Sequence, residues 1–192
     1  MCGRYYLDPG EEDPQVQELL EKVKQKYKDT PELAQMKTGE IFPTEIVPVI
    51  TVDSPQLMQW GFSRFDGKGE IINARLETVS EKPMFRKAFF EHRCLIPASY
   101  FFEWEKKGMV KQKYALGSNG LIYLAGLYRM EKDTTIPRFV ILTRPAAQEI
   151  AFIHDRIPVI LPKEMHEAWF SGPMEEKDVL ARSTERLEYR AV

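Results

Sequence analysis

Residues 93–128 read RCLIPASYFFEWEKKGMVKQKYALGSNGLIYLAGLY, and this stretch decides the fold. Short β-rich runs fall at Arg93–Ile96, Tyr100–Glu105, Lys113–Leu116 and Leu121–Tyr128, with no helical periodicity between them. Strands that follow one another without intervening helices build antiparallel sheets rather than the parallel sheets of alternating βα chains. Ser118-Asn119-Gly120 has the composition of a hairpin turn.

The same character extends outward. Further strands are predicted at Ile46–Val52, Leu57–Phe62, Glu70–Ala74, Arg138–Thr143 and Pro158–Leu161, with a second turn at Asp66-Gly67. One segment is clearly helical. Asp13 caps, Pro14 takes the first helical position, and Val16, Leu19, Leu20, Val23 and Tyr27 recur at helical spacing until Thr30-Pro31. Shorter helices are predicted over Pro83–Glu91, Pro145–Phe152 and Lys163–Trp169, and the polar tail from about residue 184 reads as loosely held. The expected fold is therefore α+β but mainly β, a curved antiparallel sheet or open β-barrel with peripheral helices, in one domain over residues 1–192.

Composition narrows the function. The net charge of −2 argues against a strongly basic nucleic-acid binder but leaves room for a local basic groove. The first twenty residues are acidic and broken by Pro9 and Pro14, unlike a secretory signal, and no apolar run reaches the ~20 residues of a membrane span. Cys2 and Cys94 are too few for a disulfide framework, so a cytoplasmic location is expected, and Cys94 reads as a buried structural thiol. No cysteine has a partner at zinc-site spacing, so neither a metal nor a cofactor is expected. Nothing in the chain calls for more than a monomer.

Cys2 carries the chemistry. Once Met1 is removed, residue 2 presents an α-amine and a thiol on adjacent carbons. The amine condenses with an aldehyde to an imine, and the thiolate then closes a five-membered thiazolidine, favoured because both groups are held together. Reference pKa values near 8 and 8.5 leave reactive fractions of each at neutral pH.

Four blocks accompany it: Met1-Cys2-Gly3-Arg4-Tyr5, Ile72-Asn73-Ala74-Arg75-Leu76-Glu77-Thr78, Ile96–Trp104 with its Phe102-Glu103-Trp104, and Ile153-His154-Asp155-Arg156-Ile157-Pro158 through Leu161. In this order they resemble the SRAP family (SOS-response-associated peptidases), the abasic-site-sensing proteins of bacteria and eukaryotes. The resemblance implies a compact β-rich domain whose N-terminal cysteine, exposed by loss of Met1, forms a thiazolidine with the ring-opened aldehyde of an abasic site in single-stranded DNA. Cys2 is then the nucleophile, with Asn73, Glu103 and His154 around it. Histidine suits proton transfer at the deoxyribose ring oxygen, and a glutamate among Phe101, Phe102 and Trp104 suits proton transfer during imine formation. The resemblance further places Arg4, Arg75 and Arg156 on phosphates, Trp60 as an aromatic stacking on a base, and Pro43 and Thr143 along the groove.

Taken alone, these residues have plainer readings: Trp60 as a core tryptophan, Glu103 as the outer face of a half-buried strand, His154 as a loop cap, Asn73 as a turn residue. The chain also departs from the family pattern. Tyr100 stands where a glycine is usual, Phe102 for a tyrosine, Gln59 for a second tryptophan, Phe62-Ser63-Arg64 for Leu-Ile-Pro, Ala147 for an asparagine and Ile157 for a methionine. The expected function is covalent capture of abasic sites in single-stranded DNA, with autoproteolytic removal of Met1. Two alternatives are a cysteine peptidase acting on other chains through Cys2, His154 and Asn73, and a noncovalent single-strand binding module.

Overall fold

The computed structural model describes residues 2–10, 13–132 and 134–192. The expected loss of Met1 concerns a residue outside this set. In chain order the strands are β1 (Tyr5–Leu7), β2 (Gly39–Ile41), β3 (Ile46–Ile50), β4 (Pro55–Trp60), β5 (Phe62–Ser63), β6 (Glu70–Ile71) and β7 (Asn73–Arg75). They continue with β8 (Arg93–Ala98), β9 (Tyr100–Lys107), β10 (Val110–Gly117), β11 (Ile122–Arg129), β12 (Arg138–Pro145), β13 (Arg156–Pro158) and β14 (Glu188–Ala191). The helices are α1 (Pro14–Lys26), α2 (Pro31–Gln35), α3 (Pro83–Glu91), α4 (His166–Ser171) and α5 (Glu176–Arg182).

β11, β8, β3, β4 and β12 lie side by side, and β12 pairs again with β11, so this sheet closes into a five-stranded barrel. The β4–β12 pairing is parallel and the others around the barrel are antiparallel. β7 adds to β12 in parallel and β13 in antiparallel fashion. A second, wholly antiparallel sheet has the order β14-β10-β9-β1-β2. The mainly-β expectation holds, with the refinement that the barrel is closed. Closure leaves the barrel strands without free edges.

Alternation along the strands makes two cores. Cys94, Ile96, Leu124, Phe139 and Ile141 pack with Tyr5, Leu7 and Phe101 of the second sheet. Leu95, Ala125, Leu127, Val140 and Leu142 pack beneath the helices against Phe85, Phe89, Trp169 and Val179. α1 behaves as its sequence demands. Asp13 accepts the Gln15 N–H, and Val16, Leu19, Leu20 and Val23 are buried. At about 1.5–3 kcal/mol per fully buried aliphatic side chain, that face fixes the helix to the sheet.

Three expectations are corrected. Ser118–Gly120 is not the turn of a simple hairpin, because β10 belongs to one sheet and β11 to the other, and the chain crosses between them there. Residues 148–153 form turns rather than a helix, since β12 runs on to Pro145, which pairs with Arg156 of β13. The tail is ordered as β14, paired with β10 from Gly117↔Glu188 to Tyr114↔Ala191. Asp66-Gly67 does turn a hairpin, between β5 and β6.

Candidate active site

Cys2 lies just before β1 and is wholly buried. Its Sγ sits 3.9 Å from the Arg4 carbonyl oxygen. Burial, reinforced by the charge of Glu103, pushes the thiol well above its ordinary range. The reactive thiolate fraction expected from reference values is therefore suppressed in this setting. Sulfur chemistry here needs a base at hand.

Asn73 opens β7, whose pairing with β12 at Ile141 brings it beneath the N-terminal segment. Its Nδ2 donates to the Cys2 carbonyl oxygen at 2.8 Å, a contact spanning 71 residues of sequence. Half-buried, Asn73 holds the Cys2 backbone without adding charge.

Glu103 comes from β9, opposite Tyr114 of β10, and is 3% exposed. Burial lifts its carboxyl to about 7, and the charge of Asp155 adds to the rise. A carboxyl in that range both donates and accepts protons near neutral pH. His154 is half-buried in the turn before β13. Burial lowers its pKa below the ordinary histidine value, so the neutral ring dominates at pH 7. The Arg156 N–H donates to Nδ1 at 3.0 Å, and Asp155 Oδ1 lies 2.8 Å from the same atom. Neutral His154 keeps its Nδ1 lone pair for Arg156 and its proton on Nε2; the exposed Asp155 carboxylate becomes a partner only when the ring protonates. Glu103 and His154 share a cleft of about 240 Å³ with Trp104, Lys106 and Lys111. The structure thus gathers Cys2 with Asn73, and Glu103 with His154, at one end of the second sheet.

The expected DNA contacts fare unevenly. Arg4 is half-buried, pairs with Glu40 at 3.1 Å, and lies over Phe42 and Trp104 at 4.2 and 5.1 Å from the ring centroids. Arg156 makes a two-pronged pair with Glu77, both contacts at 2.8 Å, and donates to the Thr143 carbonyl. A phosphate reaching either guanidinium must compete with a carboxylate already in place. Arg75 is exposed at the end of β7, and Pro43 is half-buried between β2 and β3. Thr143 is fully buried beside Arg156 and Ala74, so it braces Arg156 rather than lining an open groove. Trp60 is also fully buried. Its indole N–H donates to the Ile72 carbonyl at 3.0 Å and its ring packs on Tyr5 and Phe139, leaving no face for a base.

An unpredicted aromatic is open instead. Phe65, at the β5–β6 hairpin, is 91% exposed. It borders a groove of about 980 Å³ running past Ile71, Met84 and Phe85, with Arg75 and Lys87 along it, as far as Asn73. The signal was present: a large aromatic directly before Asp66-Gly67, where a turn favours polar residues. Among the described residues no three His, Cys, Asp or Glu side chains are grouped to hold a metal, and no helix is long and apolar enough to cross a membrane.

Comparison with known proteins adds an independent line. A family profile described as SOS response associated peptidase matches residues 1–192. The abasic site processing protein YoqW of Bacillus subtilis is 31% identical over 196 residues, covering 94% of this chain and 84% of the relative. The abasic site processing protein YedK of Escherichia coli is 31% identical over 124 residues, or 62% of this chain and 56% of the relative. Among solved structures, a phage-related protein of Bordetella bronchiseptica shares the fold with a TM-score of 0.75 at 22% identity, covering 100% and 94% of the two chains. A Bacteroides thetaiotaomicron protein follows with a TM-score of 0.69 at 26% identity, covering 80% and 77%.

Proposed function

The chain belongs to the SOS response associated peptidase family, and from that premise we propose that it captures abasic sites in single-stranded DNA covalently through Cys2, after removing its own Met1. The observation that carries this reading is the pairing of a buried Cys2, fixed by Asn73, with a carboxyl poised at about 7 on Glu103.

The steps follow from the groups present. As the deoxyribose opens to its aldehyde, the C1 hydroxyl loses a proton and the ring oxygen gains one, and His154 mediates this transfer, ending in the neutral form in which it began. The Cys2 amine attacks the aldehyde carbon, and protonated Glu103 gives its proton to the departing hydroxyl, so water leaves and an imine forms. Sulfur then adds to the imine carbon. The thiol proton, held tightly by burial, passes to the now ionised Glu103 and regenerates its acid form, while the nitrogen, which kept one proton as the imine formed, becomes the neutral ring amine. One C–N bond and one C–S bond form, and one water is released. Run backwards, the same proton transfers reopen the thiazolidine, which gives Glu103 a part in release.

Strand binding would rest on stacking and phosphate contacts, which are tolerant of sequence. In this reading Phe65 supplies the stacking face that buried Trp60 cannot, Arg75 and Lys87 follow the phosphates, and Arg4 and Arg156 exchange their carboxylates for phosphate oxygens. Bound in this way, the lesion is shielded from strand cleavage.

The test mixes purified protein with a single-stranded oligonucleotide bearing one abasic site and resolves the mixture on a denaturing gel. A heat-resistant shifted band that disappears with Cys2→Ala is expected. Its absence from protein shown by intact mass to begin at Cys2 would overturn the reading.

A further inference from the structure

The outward face of the second sheet carries a row of aromatic and cationic side chains that the chemistry at Cys2 does not use. Register puts Tyr6 beside Tyr100, and their rings stack 4.9 Å apart with planes 6° from parallel. Phe102, itself buried beneath Lys113, meets Tyr100 edge-on at 5.3 Å and supports that ring from below. Arg190 of β14 lies 5.6 Å over Tyr100, and the Lys113 ammonium lies 3.7 Å over Phe102. The row is continuous along β9 with Trp104, which lines the Glu103–His154 cleft. At its other end it opens into a separate cleft of about 680 Å³ walled by Tyr6, Tyr100, Ser99, Asp8, Asp13 and Arg190.

Charge sorts what this surface can take. Arg190 lies on the outer sheet face and favours a polyanionic backbone, and Lys113, paired with Glu40 at 2.8 Å, joins it by exchanging that carboxylate for a phosphate oxygen. Asp8 and Asp13 line the terminal cleft and repel phosphate, while acidic side chains and Ser99 suit the N–H groups on a base edge. The stacked tyrosines offer the flat floor that a base requires. Tyr100 is three residues along β9 from Glu103, roughly 10 Å at ~3.3 Å per residue, the reach of about three stacked nucleotides.

We propose that the single strand on one side of the lesion crosses this sheet face and places an unpaired nucleobase on the Tyr6–Tyr100 stack in the terminal cleft. This rests on the reading of the protein as an abasic-site binder and adds a subsite to it. Tyr100, in place of the family's usual glycine, supplies half of the platform.

The test has two arms, applied to wild type, Tyr100→Leu and the surface variant Arg190→Gln. In the first, capture rates are measured against concentration with oligonucleotides shortened one nucleotide at a time from each side of the abasic site. Wild type should lose affinity stepwise when the nucleotides within about four of the lesion are removed from one side only. Both variants should raise the half-saturating concentration, by about tenfold for Tyr100→Leu, remove that length dependence and keep the saturating rate. In the second arm, fluorescence anisotropy measures binding to undamaged single strands, where the same variants should weaken affinity. Wild-type half-saturation and length dependence in both variants would overturn the subsite alone. If wild type forms no crosslink at all, the capture reading fails, and the anisotropy arm by itself decides whether the subsite exists.

Discussion

Glu103 is where residue chemistry and protein stability meet. Its carboxyl is raised from an ordinary value of 4.5 to about 7 because the ionised form is buried. The folded state therefore binds this proton more tightly than the unfolded chain. Its contribution to stability is full below about 4.5 and is lost as pH rises through 7. Glu103→Gln, neutral at every pH, should match wild type at pH 4.5 and exceed it by about 1–3 kcal/mol at pH 8, as read by denaturant unfolding at the two pH values. The same variant should slow capture about a hundredfold and erase the limb near pH 7 from the pH–rate profile. Equal stabilisation at both pH values would mean the raised pKa is wrong. Asn73→Ala, which removes one hydrogen bond to the Cys2 carbonyl, should cost about 1 kcal/mol and slow capture with little change in strand affinity. These residues stand out in the sequence because their side-chain types suit one reaction and they recur in a specific order, and the structure places Asn73 on Cys2 and Glu103 in a cleft with His154. For Trp60 the core reading is the one the structure supports; a tryptophan in a motif does not say which strand face it occupies, and only the closed barrel, with Tyr5 and Phe139 against the ring, decides that. Phe65 is hard to assign from sequence because an aromatic before a polar turn is as often folded back onto its sheet as left open, and only its 91% exposure separates the two.

At the scale of elements, the C-terminal strand shows what local sequence leaves out. Residues 188–191 are polar and exposed, so nothing in their pattern announces a strand. Their pairing with β10, the buried Arg144 held to Ser183 and Glu185, and the cluster of Tyr189 with Tyr114 and Phe152 fix them instead. All three are non-local. The same cluster explains why residues 148–153 turn rather than coil, for Phe152 is drawn to Tyr114 and Tyr189 just ahead of His154. Tyr189→Ala should lower stability by about 1–2 kcal/mol and slow capture, while Tyr189→Phe keeps both, since the contacts are through ring faces and edges. Thermal unfolding alongside capture rates would show it, and an alanine variant that captures at the wild-type rate would separate this strand from the His154 turn.

At the scale of the molecule, mainly-β character could be read from the density of short strands, yet closure could not. It depends on β12 pairing with both β11 and β4, across 79 residues between the β4 and β12 partners Gln59 and Arg138 and far fewer to β11. Packing inside is tight enough to exclude a methyl group. A Cβ on Gly126 would meet Ile96 Cδ1 at 2.4 Å and the Val140 carbonyl oxygen at 2.9 Å. Gly126→Ala should therefore destabilise by about 1–3 kcal/mol, seen as a lower denaturant midpoint with an unchanged slope. The net charge of −2 does not exclude the proposed strand binding, because Arg75, Lys82, Lys87 and Arg129 line the Phe65 groove and Lys113 and Arg190 lie on the outer sheet face.

Whether a processed N-terminal Cys2 forms a thiazolidine with the abasic aldehyde is read directly by intact and digest mass spectrometry of the adduct. The expected adduct has a mass equal to the protein lacking Met1 plus the oligonucleotide minus one water, forms without added reductant and maps to the peptide beginning at Cys2. An adduct that retains Met1, or one joined through a lysine, would contradict it.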